Sequence, residues 1–252
     1  MRVYFIGAGP GDVELITIKG HRRLHSCPFV LYAGSLINKE LLSGLPGTAR
    51  IIDTSSLNLD EQMAFYQEAK DKNVDVARLQ SGDLCIYGAI GEQMRKLDEM
   101  EIEYDVIPGV SSMAASAATL KRELTLPDIS QTVILSRISG KTEVPAGEDL
   151  ALLASHKCTL CLFLSIHKID EVVEKLRVHY QPDAPVAVVY KASWPDEKII
   201  LGTLDTIADR VKNEKITLTA LILVGAALAP GEFKDSQLYS KKFSHRFRKK
   251  SA

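Results

Sequence analysis

Ten apolar runs of strand length, separated by stretches of helical pattern, constrain this chain more than anything else in its 252 residues. The first five read RVYFIG, FVLYA, ARIID, VDVARL and YDVIP; the second five read QTVILSR, CTLCLFLS, PVAVVYKA, KIILG and TALILVG. Between them, LDEQMAFYQEAKDKN and GEQMRKLDEME place apolar residues at helical spacing. Strand and helix in alternation predict α/β architecture, because parallel neighbours need a helical crossover to connect them. The polar stretch KRELTLPDIS separates the two series, and Pro127 disfavours helix at Leu126. The expected organisation is two tandem αβα domains with mostly parallel sheets, at residues 1–121 and 131–235, joined by a linker at 122–130 and followed by a basic tail at 236–252. At 46% hydrophobic residues the chain has material for two cores.

Charge separates body from tail. The last twelve residues carry six basic groups (Lys241, Lys242, Arg246, Arg248, Lys249, Lys250) and no acid, so a net charge of −1 leaves −7 on residues 1–240. An acidic body argues against a nucleic-acid partner, which needs clustered Lys and Arg. No run of about 18 apolar residues suggests a membrane span, and MRVYFIGAGP turns to glycine too early for a secretory segment, so a cytoplasmic protein without a membrane partner is expected. Cys27, Cys85, Cys158 and Cys161 do not form a disulfide framework, and Cys158-x-x-Cys161 lacks the second pair of a metal site. No metal is expected. Trp194 beside Pro195 reads as a loop anchor.

Three loops follow predicted strands, where open α/β sheets bind ligands. In GAGPGD, residues 7–12, Gly7 and Gly9 fit a dinucleotide fingerprint, but Asp12 occupies the third glycine's place and Pro10 removes an N–H that a phosphate cradle would use. Asp12 suits a helix cap accepting N–H bonds from VELITIKG, and its charge would repel phosphate. The loop either is a turn that binds nothing or receives a phosphate-free ligand, for which S-adenosylmethionine, a sulfonium nucleoside, qualifies. SGDLCIYG places Gly82 and Asp83 after the fourth strand; VIPGVSS places Pro108 and Gly109 in a turn and Ser111 or Ser112 at a helix cap.

Taken in order, GAGPGD, SGDLCIYG, VIPGVSS, QTVILSRISGKT and ALILVG give residues 2–225 a resemblance to the tetrapyrrole methyltransferase family, S-adenosylmethionine-dependent methylases of corrin and siroheme synthesis. LYAGSLI and ELTLPDISQTVILSR are similar to the group that methylates C11 of precorrin-4 or cobalt-precorrin-4. The resemblance implies the class III methyltransferase fold, cofactor binding between two α/β domains, S-adenosylhomocysteine as product, homodimers and a tetrapyrrole polycarboxylate substrate. By motif it places Gly9, Pro10 and Gly11, then Gly82, Asp83 and Ile86, then Ser111 and Ser112 around the cofactor. From the second half it adds Leu164, Ala192 and Ala220. Where the family usually has proline after the aspartate of the second loop, this chain has Leu84, which predicts a more mobile loop and weaker cofactor binding.

Methyl transfer from a sulfonium needs alignment and exclusion of water more than a nucleophile, which agrees with the absence of a G-x-S-x-G elbow. Asp83, Tyr87 and His21 are candidates for accepting the ring proton, none singled out. Substrate carboxylates call for cations, and Lys19, Arg122, Arg137 and Lys141 are candidates, with Arg137 and Lys141 in RISGKT preferred. Two alternatives stay open: a methylase of the same fold with another acceptor, either a different precorrin carbon or a diphthine-type protein, and a non-catalytic S-adenosylmethionine-binding module.

Overall fold

The computed structural model describes residues 1–236, 243, 244 and 246. Most of the expected basic tail, including Lys241, Lys242, Arg248, Lys249 and Lys250, lies outside the described residues. The chain forms two compact units, one of Met1–Ala115 with Lys191–Glu197, the other of Ser116–Tyr190 with the residues from Lys198 onward. No helix among the described residues is long and apolar enough to cross a membrane.

In the first unit the strands are β1 (Arg2–Gly7), β2 (Phe29–Tyr32), β3 (Arg50–Asp53), β4 (Val76–Gln80) and β5 (Glu103–Ile107), and the helices are α1 (Ile18–Ser26), α2 (Leu59–Asp71), α3 (Gly91–Glu99) and α4 (Ser112–Thr119), the last crossing into the second unit. The sheet order is β3-β2-β4-β1-β5, and every pair is parallel. A central parallel strand is covered on both faces, which is why β2 and β4 are buried along their whole length while the edge strands β3 and β5 are largely open. Tyr4 and Ile6 pack with Leu24 of α1 on one face; Val3 and Phe5 pack with Tyr66 of α2 and Leu97 of α3 on the other. Helix starts follow local rules: Thr17 accepts from Gly20 N at 3.1 Å to cap α1, and Asn58 with Glu61 closes a capping box on α2.

This strand order creates a switch point. After β1 the chain leaves toward β2, on one side; after β4 it leaves toward β5, on the other. Adjacent strands whose connections diverge leave a crevice at their carboxyl ends, the usual ligand position in such sheets.

The second unit carries β6 (Val133–Arg137), β7 (Thr159–Phe163), β8 (Pro185–Tyr190), β9 (Lys198–Thr203) and β10 (Ala220–Val224), with α5 (Leu150–Ala154), α6 (Ile169–Leu176) and α7 (Ile207–Asn213). All ten strands foreseen in the sequence are present, and the α/β class holds for both units. The second sheet is mixed in its pairing: its order is β6-β7-β10-β8-β9, β6 and β7 run parallel, and β10 lies antiparallel to β7 and β8, as β9 does to β8. Leu160 and Leu162 of β7 and Val186 and Val188 of β8 form one core with α5, α6 and α7. The stretch around Pro127 is packed into this unit: Leu124 and Leu126 are buried, and Thr159 Oγ1 donates to Leu124 O at 2.9 Å.

Candidate functional site

At the β1/β4 crevice three loops meet backbone to backbone. Gly9 and Gly82 form an isolated bridge, Gly82 N donating to Gly9 O at 2.7 Å and Gly9 N to Gly82 O at 3.4 Å. Both have positive φ, +82° and +64°, a region that L side chains enter only at a cost. A Cβ on Gly109, in the loop after β5, would lie 2.2 Å from Gly82 O, and one on Gly7 would lie 2.5 Å from Gly109 N. The glycines thus serve the mutual approach of the loops. This brings together Gly9, Pro10, Gly11, Gly82, Asp83, Ile86, Ser111 and Ser112, the first-domain residues that the sequence motifs single out.

Close packing of helix on sheet, the task of the third glycine in a dinucleotide loop, falls here to the helix itself. Gly20 of α1 permits it, since a Cβ there would be 2.9 Å from Ile6 Cγ2.

The opening loop is poor in free donors. Ala8 N donates to Gln80 O, Gly9 N to Gly82 O, Asp12 N to Ser193 Oγ at 3.0 Å, and Pro10 has no N–H. A phosphate cradle requires several convergent N–H groups, so this set does not fit a phosphorylated ligand. Asp12 and Asp83 bring negative charge to the first two loops, which suits a cationic or zwitterionic one. S-adenosylmethionine, which has a sulfonium and no phosphate, fits these residues.

Each acid also holds its own loop. Asp12 Oδ1 accepts from Glu14 N at 2.9 Å, so it caps only the short 3-10 turn Val13–Leu15; the expectation that it caps the longer helix is corrected, Thr17 having that role. Asp83 Oδ1 accepts from Cys85 N at 2.8 Å. Burial, with the Asp83 charge second, raises the Cys85 thiol above its ordinary range. Ser111 Oγ accepts from Met113 N at 3.3 Å at the start of α4.

Leu84 is placed in the core. Its side chain is 1% exposed and belongs to the core with Phe5, Tyr66 and Leu97, and its carbonyl oxygen lies 2.0 Å from where a Cβ on Gly88 would sit. The loop is tethered by burial of this side chain, and a proline at 84 would empty that place in the core.

One feature escaped the sequence reading, a polar network beneath the second loop. Arg78 of β4, 3% exposed, donates to Thr54 Oγ1 at 2.7 Å, Gln62 Oε1 at 3.1 Å and Gln93 Oε1 at 3.2 Å. Gln93 Nε2 then donates to Ala89 O and Gln80 Nε2 to Gly88 O, fixing consecutive carbonyls between Tyr87 and Ala89, whose φ values are +56° and +49°. Burial lowers the Arg78 guanidinium pKa from its ordinary value. An arginine inside an apolar strand was the available signal. In the segment Lys191–Glu197, Trp194 Nε1 donates to Pro10 O at 2.7 Å, the loop anchor expected of it, though its partner was not foreseen. Ala192, 6% exposed, lies on this segment.

The remaining candidates are placed as follows. Leu164, after β7, is 62% exposed with φ +51°, an apolar side chain held outward on a strained backbone; Ala220 opens β10. The guanidinium of Arg137 donates to the carbonyls of Ile138, Thr142 and Glu143 and so braces the loop on which exposed Lys141 stands. Lys19, His21 and Arg122 are exposed, His21 stacking on His25 at 4.1 Å, and Tyr87 is 45% exposed. Cys158 and Cys161 are buried free thiols. Among the described residues no cluster of three or more His, Cys, Asp or Glu could hold a metal.

Fold and loop geometry define a two-sheet α/β protein with a phosphate-averse crevice, and comparison with known proteins gives the class. The profile of the tetrapyrrole (corrin/porphyrin) methylases matches residues 2–208, and the chain belongs to this family. More particularly, it is 47% identical over 248 residues to a precorrin-4 C(11)-methyltransferase of Pseudomonas aeruginosa, spanning 98% of this chain and 99% of that one. It is also 47% identical over 249 residues to a cobalt-precorrin-4 C(11)-methyltransferase of Methanocaldococcus jannaschii, spanning 98% and 96%. The crystal structure of a cobalt precorrin-4 methyltransferase superposes with a TM-score of 0.88 at 42% identity, covering 91% of this chain and 96% of that one. A uroporphyrin-III C-methyltransferase of Thermus thermophilus, solved with S-adenosylhomocysteine, gives 0.74 at 27% identity, covering 91% and 94%.

Proposed function

We propose that this chain is an S-adenosylmethionine-dependent C-methyltransferase acting on C11 of precorrin-4 or cobalt-precorrin-4. The observation that carries the reading is identity of nearly one residue in two along essentially the whole chain to enzymes of that name, 47% over 248 residues in one case. The donor-poor crevice at β1 and β4 supports the cofactor. S-adenosylmethionine supplies a methyl group already activated on sulfur.

What the chain contributes is placement. The backbone of Gly9–Gly11 forms one wall, Gly82, Asp83 and Ile86 a second, Ser111 and Ser112 a third, and Ala192 adds an apolar contact. In the second unit Lys141, on the loop that Arg137 braces, is available to a substrate carboxylate. Asp83 favours the sulfonium over its neutral product by simple charge. Alignment of donor and acceptor is worth several kcal/mol of barrier, on the order of 7–11 in the best cases. The protein is further proposed to act as a homodimer.

Purified protein is incubated with methyl-labelled S-adenosylmethionine and, in parallel, precorrin-4 and cobalt-precorrin-4. The expected result is one added methyl by mass, located at C11 by carbon NMR, with one of the two acceptors preferred. Methylation at another carbon would overturn the acceptor assignment; cofactor binding without transfer to either acceptor would overturn the enzyme.

A further inference from the structure

Trp194 lies against Gly11 so closely that a Cβ there would be 2.1 Å from Trp194 Cδ1 and 2.3 Å from Nε1. The glycine therefore makes room for the indole rather than for a ligand. The same ring donates to Pro10 O at 2.7 Å, and its neighbour Ser193 accepts Asp12 N–H at 3.0 Å. Three successive residues of the opening loop are thus held by two side chains from 181 to 184 positions further along the chain.

The segment that supplies them is itself built to keep this shape. Lys191 and Ser193 have φ of +48° and +68°, values that non-glycine residues hold only when their surroundings enforce them. Ser193 N donates to Glu197 Oε2 at 2.6 Å, Trp194 N to Lys191 O at 3.0 Å, Glu197 N to Trp194 O at 3.0 Å, and Lys191 Nζ pairs with Asp196 Oδ2 at 2.6 Å. Such a knot is costly to form and, once formed, is a rigid template.

We propose that Ser193 and Trp194 are positioning residues for the methyl donor: they clasp Pro10, Gly11 and Asp12 into the one loop shape that receives S-adenosylmethionine. The clasp occupies the Asp12 N–H, one of the backbone donors that a phosphate cradle would use. Because Ala192 stands on the same knot, a ligand touching Ala192 and the loop feels the clasp from both sides. This inference rests on the proposed cofactor, and it does not depend on the tetrapyrrole acceptor.

The chain has one tryptophan, so its emission reports on the clasp directly. S-adenosylhomocysteine titrated into wild-type protein is expected to shift or quench that emission with the same midpoint that calorimetry gives. Trp194→Phe keeps a ring over Gly11 and loses the donor to Pro10; Ser193→Ala releases Asp12 N–H. Each is expected to weaken S-adenosylhomocysteine binding roughly 5- to 20-fold, the loss set by one hydrogen bond. In turnover each should raise the cofactor KM by more than it lowers kcat, with circular dichroism unchanged. Equal affinity of both variants and wild type, or wild-type emission unmoved at saturation, would overturn the clasp and leave the cofactor assignment standing. Absence of S-adenosylhomocysteine binding by the wild type would remove both.

Discussion

Arg78 is a buried cation met, among the described residues, by the neutral groups of Thr54, Gln62 and Gln93. Its desolvation is offset by three donated hydrogen bonds, and through Gln93 it reaches the carbonyl of Ala89 in the second loop. Removing the guanidinium leaves the Thr54, Gln62 and Gln93 oxygens without their donor, and leaving a buried polar group unsatisfied costs about 1–3 kcal/mol. Arg78→Ala is expected to lower the free energy of unfolding by that amount in urea titrations; a loss under about 1 kcal/mol would mean the guanidinium is not holding these groups. Trp194 and Leu84 show how far a single residue can be read in isolation. Trp194 was legible as an anchor from its setting beside Pro195, but not its partner 184 positions away. Leu84, by sequence a lost constraint, is in the fold a buried tether.

At the scale of elements, the candidate site is a junction of three strand ends. The ladder sets β4 and β5 on either side of β1, and the loops that follow must then pass within backbone contact of one another. Gly7, Gly82 and Gly109 make that possible. A side chain at Gly109 would meet Gly82 O at 2.2 Å, a backbone atom that cannot rotate away. Gly109→Ala is therefore expected to spread the junction, weakening S-adenosylhomocysteine binding at least tenfold by calorimetry and lowering Tm by several degrees, about what a loss of 1–2 kcal/mol produces in a domain of this size. An unchanged affinity would show that the loops can part without cost. Strand and helix positions were readable in advance because hydrophobic period reports burial directly. The pairing of β10 between β7 and β8, antiparallel to both, was not, because ALILV is a continuous apolar run, the pattern usual for a buried strand of a parallel sheet.

At the scale of the whole molecule, both cores contain buried thiols. Burial pushes the Cys27 and Cys161 thiols up to about 12, against roughly 8.5 in an unfolded chain. A raised folded-state pKa for an acid means that the unfolded chain releases the proton first. The stabilisation is complete below about pH 8.5 and declines as the pH rises toward 12, by about 1.4 kcal/mol per unit for each thiol. Urea midpoints measured from pH 8 to 10.5 should fall accordingly, and the double variant Cys27→Ala, Cys161→Ala should flatten that slope; an unaltered slope would show that other groups set the alkaline limit. Among the four thiols only Cys85 is exposed, so native protein should react with a thiol reagent at one site and unfolded protein at four.

Residue order alone determined the ten strands, the division into two α/β series, the loops of the candidate site and, through the resemblance of those loops, the methyltransferase family. These are local properties or ordered sets of them: period, turn chemistry and motif. Tertiary structure decided who meets whom. That Gly11 makes room for Trp194, that Gly7 and Gly109 serve each other, that Arg78 sits among amides and that Leu84 fills the core are facts of approach between distant residues. The physical reason is that excluded volume and hydrogen-bond satisfaction act through space, and a sequence specifies those neighbours only once its sheets have formed.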